Sequence, residues 1–305
     1  MWNLEIAGFT LYYLFFSFVL YSFFGWIWEC CFVSFKSKRW INRGFLNGPF
    51  IPIYGFGGTM IYMAVHPVEY NATYVFLTGM LVATLLEYLT SYMMEKLFHA
   101  KWWDYSNYKY NFRGRICLVA SFFWGFLSIL LVDILQPFVD SIITAIPRRT
   151  GEVAGVALIA ALVTDFMITV IYTVQWDKKL EEMERIREEF TDYLETTKLY
   201  ETKEEVKSRL EGLSMAGYAE GFKAFRQELD ERYDEFHAEV KEEITERMNR
   251  IHEKYQARVS ISSFVEKRLL DAFPTMKLTR NTALLEDLKA FNAKVHKRVK
   301  DTMKK

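Results

Sequence analysis

The chain has 305 residues, a formal net charge of +0, a hydrophobic fraction of 51% and an aromatic fraction of 17%. These averages hide a split at Trp176: residues 1–176 hold 11 Lys+Arg and 10 Asp+Glu, about 12% charged, whereas residues 177–305 hold 27 and 28, about 43%. Balanced charge gives no basic footprint for nucleic acid. Three cysteines give no disulfide or zinc framework, and no GxxxxGK[ST] or GxGxxG loop is present to hold nucleotide phosphates. We therefore predict neither a nucleic-acid partner nor a cofactor or metal.

Apolar runs of about 20 residues, the length that spans a bilayer, predict membrane helices in residues 1–176. Four full-length runs are present, at 9–33, 73–94, 116–138 and 153–176. A shorter run at 50–65 is interrupted by Gly and Pro. We expect the first run to be a retained span and not a signal peptide, because its N-terminal flank has no Lys or Arg and no small-residue cleavage site follows it.

The positions of Lys and Arg predict the orientation of these spans. Most of the basic residues before Trp176 lie in the loops after the first and third spans: Lys36, Lys38, Arg39, Arg43, Lys96, Lys101, Lys109, Arg113 and Arg115. The positive-inside rule then puts the N-terminus outside and the C-terminus in the cytoplasm. The sequence predicts an all-α cell-membrane protein with about five transmembrane helices, the second of them broken by Gly and Pro.

Residues 177–305 predict a charged, cytoplasmic helical domain. Apolar residues recur every three or four positions in two stripes, at 180–194 and 222–255, as a helix face requires. Three glycines at 212, 217 and 221 separate the stripes. A helical hairpin or coiled coil would follow, with the option of a homo-oligomer through these helices or of a cytoplasmic protein partner. The basic tail ending at Lys305 could also lie on anionic lipid.

Acidic residues within the predicted spans indicate either ion pairs or a functional site, because charged groups in a bilayer usually face a protein interior or an aqueous cavity. In chain order, these acids are Glu29, Glu87, Asp133 and Asp165. The candidate cationic partners in the inward loops are Arg43, Arg113 and Arg115. A structural Glu–Arg pair, a substrate or proton site, and snorkelling to the interface are all open interpretations.

The segment 44–58 concentrates unusual backbone, with five of the 15 Gly and two of the 6 Pro. Irregular backbone exposed to lipid would leave its amides unpaired, so this segment is either buried in protein or lines a wet cavity. Transporters use such discontinuous segments to present backbone dipoles to substrates. A flexible bend between two spans is the alternative.

Several ungapped motifs occur in order along the first half of the chain: GWIWE (25–29), RGFLNGPFIPIYGFGG (43–58), LEYLTSYMMEKLF (86–98), WWDYS (102–106), NFRGRICL (111–118) and SFFWG (121–125). They resemble the CmpB-type ABC-transporter type IV family, also described as ABC transporter permeases, over about residues 10–140. The resemblance implies a polytopic, permease-like subunit whose ATPase would be a separate chain. The fifth span and the helical residues after it lie outside this resemblance.

Our first interpretation is a membrane transport component with a cytoplasm-facing polar cavity. The candidate substrate-binding or translocation residues come from three inward segments: Glu29, Arg43, Asn47, Tyr54, Glu87, Tyr88, Asp104 and Arg115. The carboxylates would contact a cation or proton, and the arginines an anionic group.

Two alternatives use the same features. An intramembrane enzyme acting on a lipid-type substrate would use the carboxylates as general acid and base, although no nucleophile–base pair or metal-ligand set is readable. A membrane scaffold or sensor would bind a partner through its cytoplasmic helices.

Overall fold

The computed structural model describes residues 1–66, 71–196 and 264–278, together with six residues between 246 and 254. Within these residues the chain is mostly helical: α1 (Leu11–Ser37), α2 (Pro52–Val65), α3 (Ala72–Phe98), α4 (Leu118–Leu130), α5 (Gln136–Ala145), α6 (Arg148–Thr196) and α7 (Phe264–Ala272). A π-helical turn, Leu131–Leu135, joins α4 to α5. The short strands are β1 (Glu5–Ile6), β2 (Phe9–Thr10), β3 (Ala100–Lys101), β4 (Asn111–Phe112), β5 (Ile116–Cys117) and β6 (Lys277–Leu278).

The chain divides into two compact units. The first contains Met1–Tyr172 and Asp271–Met276, and the second contains the described parts of 173–270 and 277–305. In the second unit, α6 continues to Thr196 and so includes the first predicted apolar stripe. Lys179 Nζ there forms an ion pair with Glu266 Oε2 at 3.0 Å. Most of the second predicted stripe, and the basic tail, lie outside the described residues.

Four helices of the described chain are long and apolar enough to cross a membrane: Leu11–Ser37, Ala72–Phe98, Leu118–Ala145 and Arg148–Gln175. They correspond to the four full-length apolar runs, and they fit a membrane protein. The Gly/Pro-broken run at 50–65 forms α2, which has 14 residues. At 1.5 Å per residue, α2 is about 21 Å long, shorter than the hydrocarbon core of about 30 Å.

The segment between α1 and α2, here called loop 38–51, runs back along α1. Its amides bond to α1 in order: Ile41 N–H to Ser34 Oγ (2.9 Å), Arg43 N–H to Cys30 Sγ (3.2 Å) and Ile51 N–H to the Ser22 carbonyl (3.0 Å). The residue numbers of the α1 partners decrease as the residue numbers in the loop increase, so the loop runs antiparallel to α1. The helix α2 continues in the same direction, with Gly58 against the ring of Tyr21. Thus α2 begins at the level of the middle of α1.

A carboxylate of α6 holds the centre of loop 38–51. Asp165 Oδ1 accepts hydrogen bonds from the Asn47 backbone N–H (3.1 Å) and side-chain Nδ2 (2.8 Å), while Oδ2 accepts from the Gly48 N–H (2.7 Å). Thr169 Oγ1, one turn further along α6, accepts from Asn47 Nδ2 at 3.0 Å. Hydrogen bonds to an ionised carboxylate are among the stronger ones. Asp165 therefore has the geometry of a loop anchor within an apolar helix.

Aromatic and aliphatic side chains pack the helices of the first unit together. One buried cluster joins the N-terminal segment, α1 and α5: Trp2, Tyr12, Phe16, Tyr21, Val139 and Ile143. A second joins α2 to α3: Ile61, Val65, Val75 and Ala83. The helices α3 and α4 approach closely at Gly79, where an added Cβ would overlap Ser128. This packing determines which faces of α1, α3 and α4 point into the protein interior.

A polar network links the N-terminal half of α1 to α5. Tyr13 Oη donates to Asp140 Oδ1 at 2.5 Å, and Gln136 Nε2 donates to the same oxygen at 2.8 Å. Tyr21 Oη donates to Gln136 Oε1. The sequence analysis did not single out Gln136 or Asp140, since neither stands inside a recognised motif.

Replacing Asp165 with Ala removes the acceptor for two backbone amides of loop 38–51. A buried amide left without an acceptor costs about 1–3 kcal/mol, and these two amides are partly buried, so we expect the free energy of unfolding to fall by at most about 2–6 kcal/mol. Asp165→Asn keeps one carbonyl oxygen and should lose less. Thermal unfolding of the purified protein in detergent measures the change. Thr164→Ala, at an exposed position on the same helix, is the control, and an equal midpoint for the two Ala variants would contradict the anchoring role.

Candidate functional site

Glu29 of α1 has two different neighbours, one on each carboxylate oxygen. Tyr54 Oη of α2 donates to Glu29 Oε1 at 2.7 Å. Arg43 Nε of loop 38–51 lies 3.8 Å from Glu29 Oε2. That distance is within the range of an ion pair but is longer than an N–H···O hydrogen bond. The carboxylate is thus firmly held by a neutral donor and loosely held by a cation.

Glu87 of α3 is a buried carboxylate with neutral partners, and its residue is 5% exposed. Tyr105 Oη donates to Oε1 at 2.9 Å, and Trp124 Nε1 of α4 donates to Oε2 at 3.0 Å. Among the residues that the structure describes, no Lys or Arg lies within 4.0 Å of this carboxylate. Its described partners are neutral hydrogen-bond donors alone, so the carboxyl group has no basic partner there.

The two carboxylates belong to one cluster because aromatic rings connect them. The rings of Tyr54 and Trp124 are 6.3 Å apart between centroids, nearly edge to face. Tyr54 lies close enough to α1 to reach Glu29 because residue 25 is Gly, and a Cβ there would overlap the Tyr54 ring. We name this group the inner polar cluster: Glu29, Arg43, Tyr54, Glu87, Tyr105 and Trp124.

Arg43 is covered by a segment from the C-terminal part of the chain, Asp271–Met276. The guanidinium carbon of Arg43 lies 4.1 Å from the centroid of the Phe273 ring. Phe273 also contacts the Trp102 ring at 4.7 Å, almost at right angles, and Arg39 pairs with Asp271 at 3.0 Å. Nη1 of Arg43 is buried and has no hydrogen-bond acceptor among the described residues. The cation is therefore held by an aromatic face and a distant carboxylate.

Arg115 forms a separate cluster at the end of α3. Its Nε and Nη2 donate to Glu95 Oε2 at 3.1 and 2.8 Å, and Nη1 donates to Tyr88 Oη at 3.5 Å. The hydrogen bonds that Arg115 donates to the Glu95 carboxylate raise the pKa of Arg115 above its usual value. Arg115 therefore pairs with Glu95 and with neither Glu29 nor Glu87. Glu87, Ser91 and Glu95 recur at four-residue intervals on one helix face, so this spacing could have indicated Glu95 as a further candidate acid, but not that it pairs with Arg115.

Two further predicted site residues lie elsewhere. Asn47 contacts Asp165 and Thr169, as described above. Asp104 accepts from the backbone N–H (2.9 Å) and the hydroxyl (2.5 Å) of Ser106, which makes a local turn in the loop after α3. The structure thus brings together four of the eight predicted residues in the inner polar cluster: Glu29, Arg43, Tyr54 and Glu87.

The sequence analysis missed two members of the inner polar cluster, Tyr105 and Trp124, although both stand inside quoted motifs. Burial, and then the nearby Glu87 carboxylate, raise the pKa of Tyr105. Its hydroxyl therefore keeps its proton and remains a donor at neutral pH. A carboxylate held by two neutral donors is suited to binding a cation or exchanging a proton. No group of three or more His, Cys, Asp or Glu in the described chain could hold a metal ion.

The Arg115–Glu95 pair should contribute more to stability than an exposed pair of the same kind. Their side chains are 13% and 19% exposed, compared with 43% and 38% for Arg148 and Glu152. We expect Glu95→Ala to lower the free energy of unfolding by about 1–3 kcal/mol, and Glu152→Ala by less than about 1 kcal/mol.

Exchanging the charges of Glu95 and Arg115 tests the ion pair more directly than removing one of them. Glu95→Arg alone should destabilise strongly, and the double variant with Arg115→Glu should recover part of the loss in a double-mutant cycle. Thermal unfolding measures all variants. A double variant no more stable than Glu95→Arg would show that the ion pair is not what holds the two segments.

Comparison with known proteins identifies the family. A family model described as "Putative ABC-transporter type IV" matches residues 16–170. The match extends beyond residue 140, where the resemblance in the sequence motifs ends, and into α6. Most of the fifth predicted span therefore belongs to the region that the family model matches, contrary to the expectation from the motifs. No curated protein and no solved structure matches the chain. Because the family model covers half of the chain, the protein belongs to the family described as putative ABC-transporter type IV.

Proposed function

We propose that the chain is the permease-like membrane subunit of a transport system, with the inner polar cluster as its cytoplasm-facing substrate or cation site. The observation that carries this proposal is Glu87, a buried carboxylate whose partners are the neutral donors Tyr105 and Trp124. Intramembrane acids that have no structural counterion typically mark ion or substrate pathways. The family description supports a transport role.

The path of loop 38–51 supports a discontinuous second crossing in this proposal. The loop and α2 together follow α1 from Ser34 to the level of Tyr21 and beyond. Counted with the four long helices, they give five crossings, with the N-terminus outside and residues 177–305 as the cytoplasmic domain. Loop 38–51 then lies in the inner half of the bilayer, where discontinuous segments of transporters present polar groups to substrates.

Arg43 gives the site a cationic side. In the part of the chain that the structure describes, its Nη1 has no hydrogen-bond acceptor, and its Nε is 3.8 Å from Glu29. An anionic group of a substrate would find an available donor at Arg43, while a cation or proton would interact with Glu87. Glu29 and Tyr54 would keep the cationic side at Arg43 and the acidic side at Glu87 in a fixed relative position.

This subunit would work with a separate ATPase chain, because no phosphate-binding loop of the two common types occurs in its sequence. The charged helices after Trp176 offer the surface for such a partner, or for a second copy of the chain.

Glu87→Gln tests the proposal directly. Gln has nearly the same shape and one carbonyl acceptor, so folding should persist while the charge is lost. If Glu87 contacts a cation, one charge-assisted contact of about 1.5–3 kcal/mol is removed, and transport should fall roughly 10- to 100-fold. Uptake and efflux of a panel of inorganic cations and small organic solutes in membrane vesicles measure this.

Glu152→Gln is the matched control for this experiment, because the same substitution is made at an exposed pair with Arg148. It should leave transport at the wild-type level. Equal transport by the wild-type protein and Glu87→Gln across the panel, at equal protein level, would reject the assignment of Glu87.

A second candidate function, a membrane sensor, is favoured by one specific observation. The segment Asp271–Met276 follows the charged helical region and covers Arg43 through Phe273. In this function, occupation of the site near Arg43 would be transmitted to the cytoplasmic helices and their partner.

Phe273→Ala tests the sensor function, with Phe264→Ala as the control because Phe264 is 78% exposed. We expect Phe273→Ala to change the set of co-purifying proteins or the oligomeric state, and Phe264→Ala to change neither. Size-exclusion chromatography with mass spectrometry is the measurement. Identical results for both variants and the wild-type protein would remove this candidate.

A further inference from the structure

Asp133 is an exposed acid in the middle of a membrane-spanning helix. It is the sixteenth residue of the 28-residue span Leu118–Ala145. At 1.5 Å per residue, it therefore lies within about 2–3 Å of the centre of this span. Its neighbours on the same surface are exposed apolar side chains, with Leu130 at 50% and Ile134 at 65%. The carboxylate would face hydrocarbon if nothing else covered it.

The other acids of the described spans all have partners, and Asp133 does not. Glu29, Glu87, Glu95, Asp140 and Asp165 each accept hydrogen bonds from another segment. Glu152 accepts one from Arg148 on its own helix. No hydrogen bond or ion pair joins Asp133 to any other residue that the structure describes. A lone carboxylate at mid-membrane is costly, and such groups nearly always meet a partner or water. The partner of Asp133 therefore lies outside the described residues.

The backbone at Asp133 is also specialised. Pro137 has no N–H and cannot donate to the carbonyl four residues earlier, which is that of Asp133. The helix adapts with the π turn Leu131–Leu135, in which the Gln136 N–H bonds to the Leu131 carbonyl five residues back. Such turns inside α-helices are frequent at functional sites. The π turn thus includes Asp133, the residue whose carboxylate has no partner among the described residues.

We infer that Asp133 is the docking point for a transmembrane helix of a different protein, one that carries a Lys or Arg at the middle of the bilayer. Charge complementarity selects this occupant, since a mid-membrane carboxylate is best matched by a cation at the same depth. A water-soluble ATPase cannot reach this position. The inference is independent of the proposed transport function, because it rests on the lipid-facing surface and not on the inner polar cluster.

A second copy of the chain does not supply the required cation. The Lys and Arg residues of the described part of residues 1–172 lie at helix ends or in loops: Lys36, Lys38, Arg39, Arg43, Lys96, Lys101, Lys109, Arg113, Arg115, Arg148 and Arg149. None of them is near the centre of a long helix. A twofold interface through this surface would also bring Asp133 close to Asp133, which is repulsive.

Site-specific photocrosslinking in native membranes tests the inference. A photoreactive amino acid replaces Ile134 in the full chain, and mass spectrometry identifies the crosslinked peptide. We expect a peptide from an apolar segment of another protein, with a Lys or Arg within one helical turn of the linked residue. Asp133→Leu should lower the crosslink yield about tenfold or more, because it leaves the partner's cation unpaired.

Two matched variants complete the experiment. Asp133→Glu keeps the charge and should retain the crosslink, and Leu130→Ala alters the same surface without touching the charge and should also retain it. Asp133→Leu removes a charge from an exposed apolar surface, so its thermal midpoint in detergent should not fall below that of the wild-type protein. Crosslinks to lipid only, crosslinks to a second copy, or a protein crosslink that Asp133→Leu leaves unchanged would each overturn the inference.

Discussion

The need to satisfy backbone amides inside the membrane unit is the constraint on which the rest of this structure depends. A helix meets this need internally. Loop 38–51 does so only in part, through the Gly44 and Phe50 N–H groups, so others of its N–H groups need acceptors on neighbouring helices. Ser34, Cys30 and the Ser22 carbonyl of α1 provide three, and Asp165 of α6 provides two more. Because these acceptors exist, α2 can begin at the level of the middle of α1.

That placement of α2 creates the inner polar cluster. A continuous second helix would put a regular turn where loop 38–51 now carries Arg43 toward Glu29. It would also change the position of Tyr54, which reaches Glu29 across Gly25. The two carboxylates end up in different electrostatic surroundings, with a cation near Glu29 and neutral donors around Glu87. Such a difference is how one protein obtains two acids with separate roles.

The sequence was sufficient to predict features that depend on length and local composition. Apolar runs match the bilayer thickness, so the four long helices were predictable, and the Gly/Pro content of 44–58 indicated irregular backbone. An ion pair of this kind was also predictable, since Glu29 near the end of a span and Arg43 in the adjoining loop lie close in sequence. The orientation of the termini and the role of the site residues stay predictions.

Contacts between distant segments could not be predicted. Asn47 and Asp165 are 118 positions apart, and only the packing of α6 beside loop 38–51 brings them together. Arg115 turns toward Glu95 because the chain reverses at Arg113 and Gly114, both with positive φ (55° and 70°). Periodicity carries no information about such a reversal, so the sequence offered three candidate arginines for the acids and no means of assigning them.

The π turn in the third long helix, Leu118–Ala145, has a consequence for how that helix tolerates insertions and deletions. Each residue of an α-helix advances about 100° around the axis, so the extra residue of the turn gives α4 and α5 different angular phases. One span can then match two neighbours: α4 packs along α3, while α5 presents Gln136 and Asp140 to Tyr13 of α1. A one-residue deletion at Leu131–Leu135 would remove the extra residue and rotate one of these surfaces away from its neighbour. The length of this short stretch is therefore constrained by the packing on both sides of it, independently of which side chains it carries.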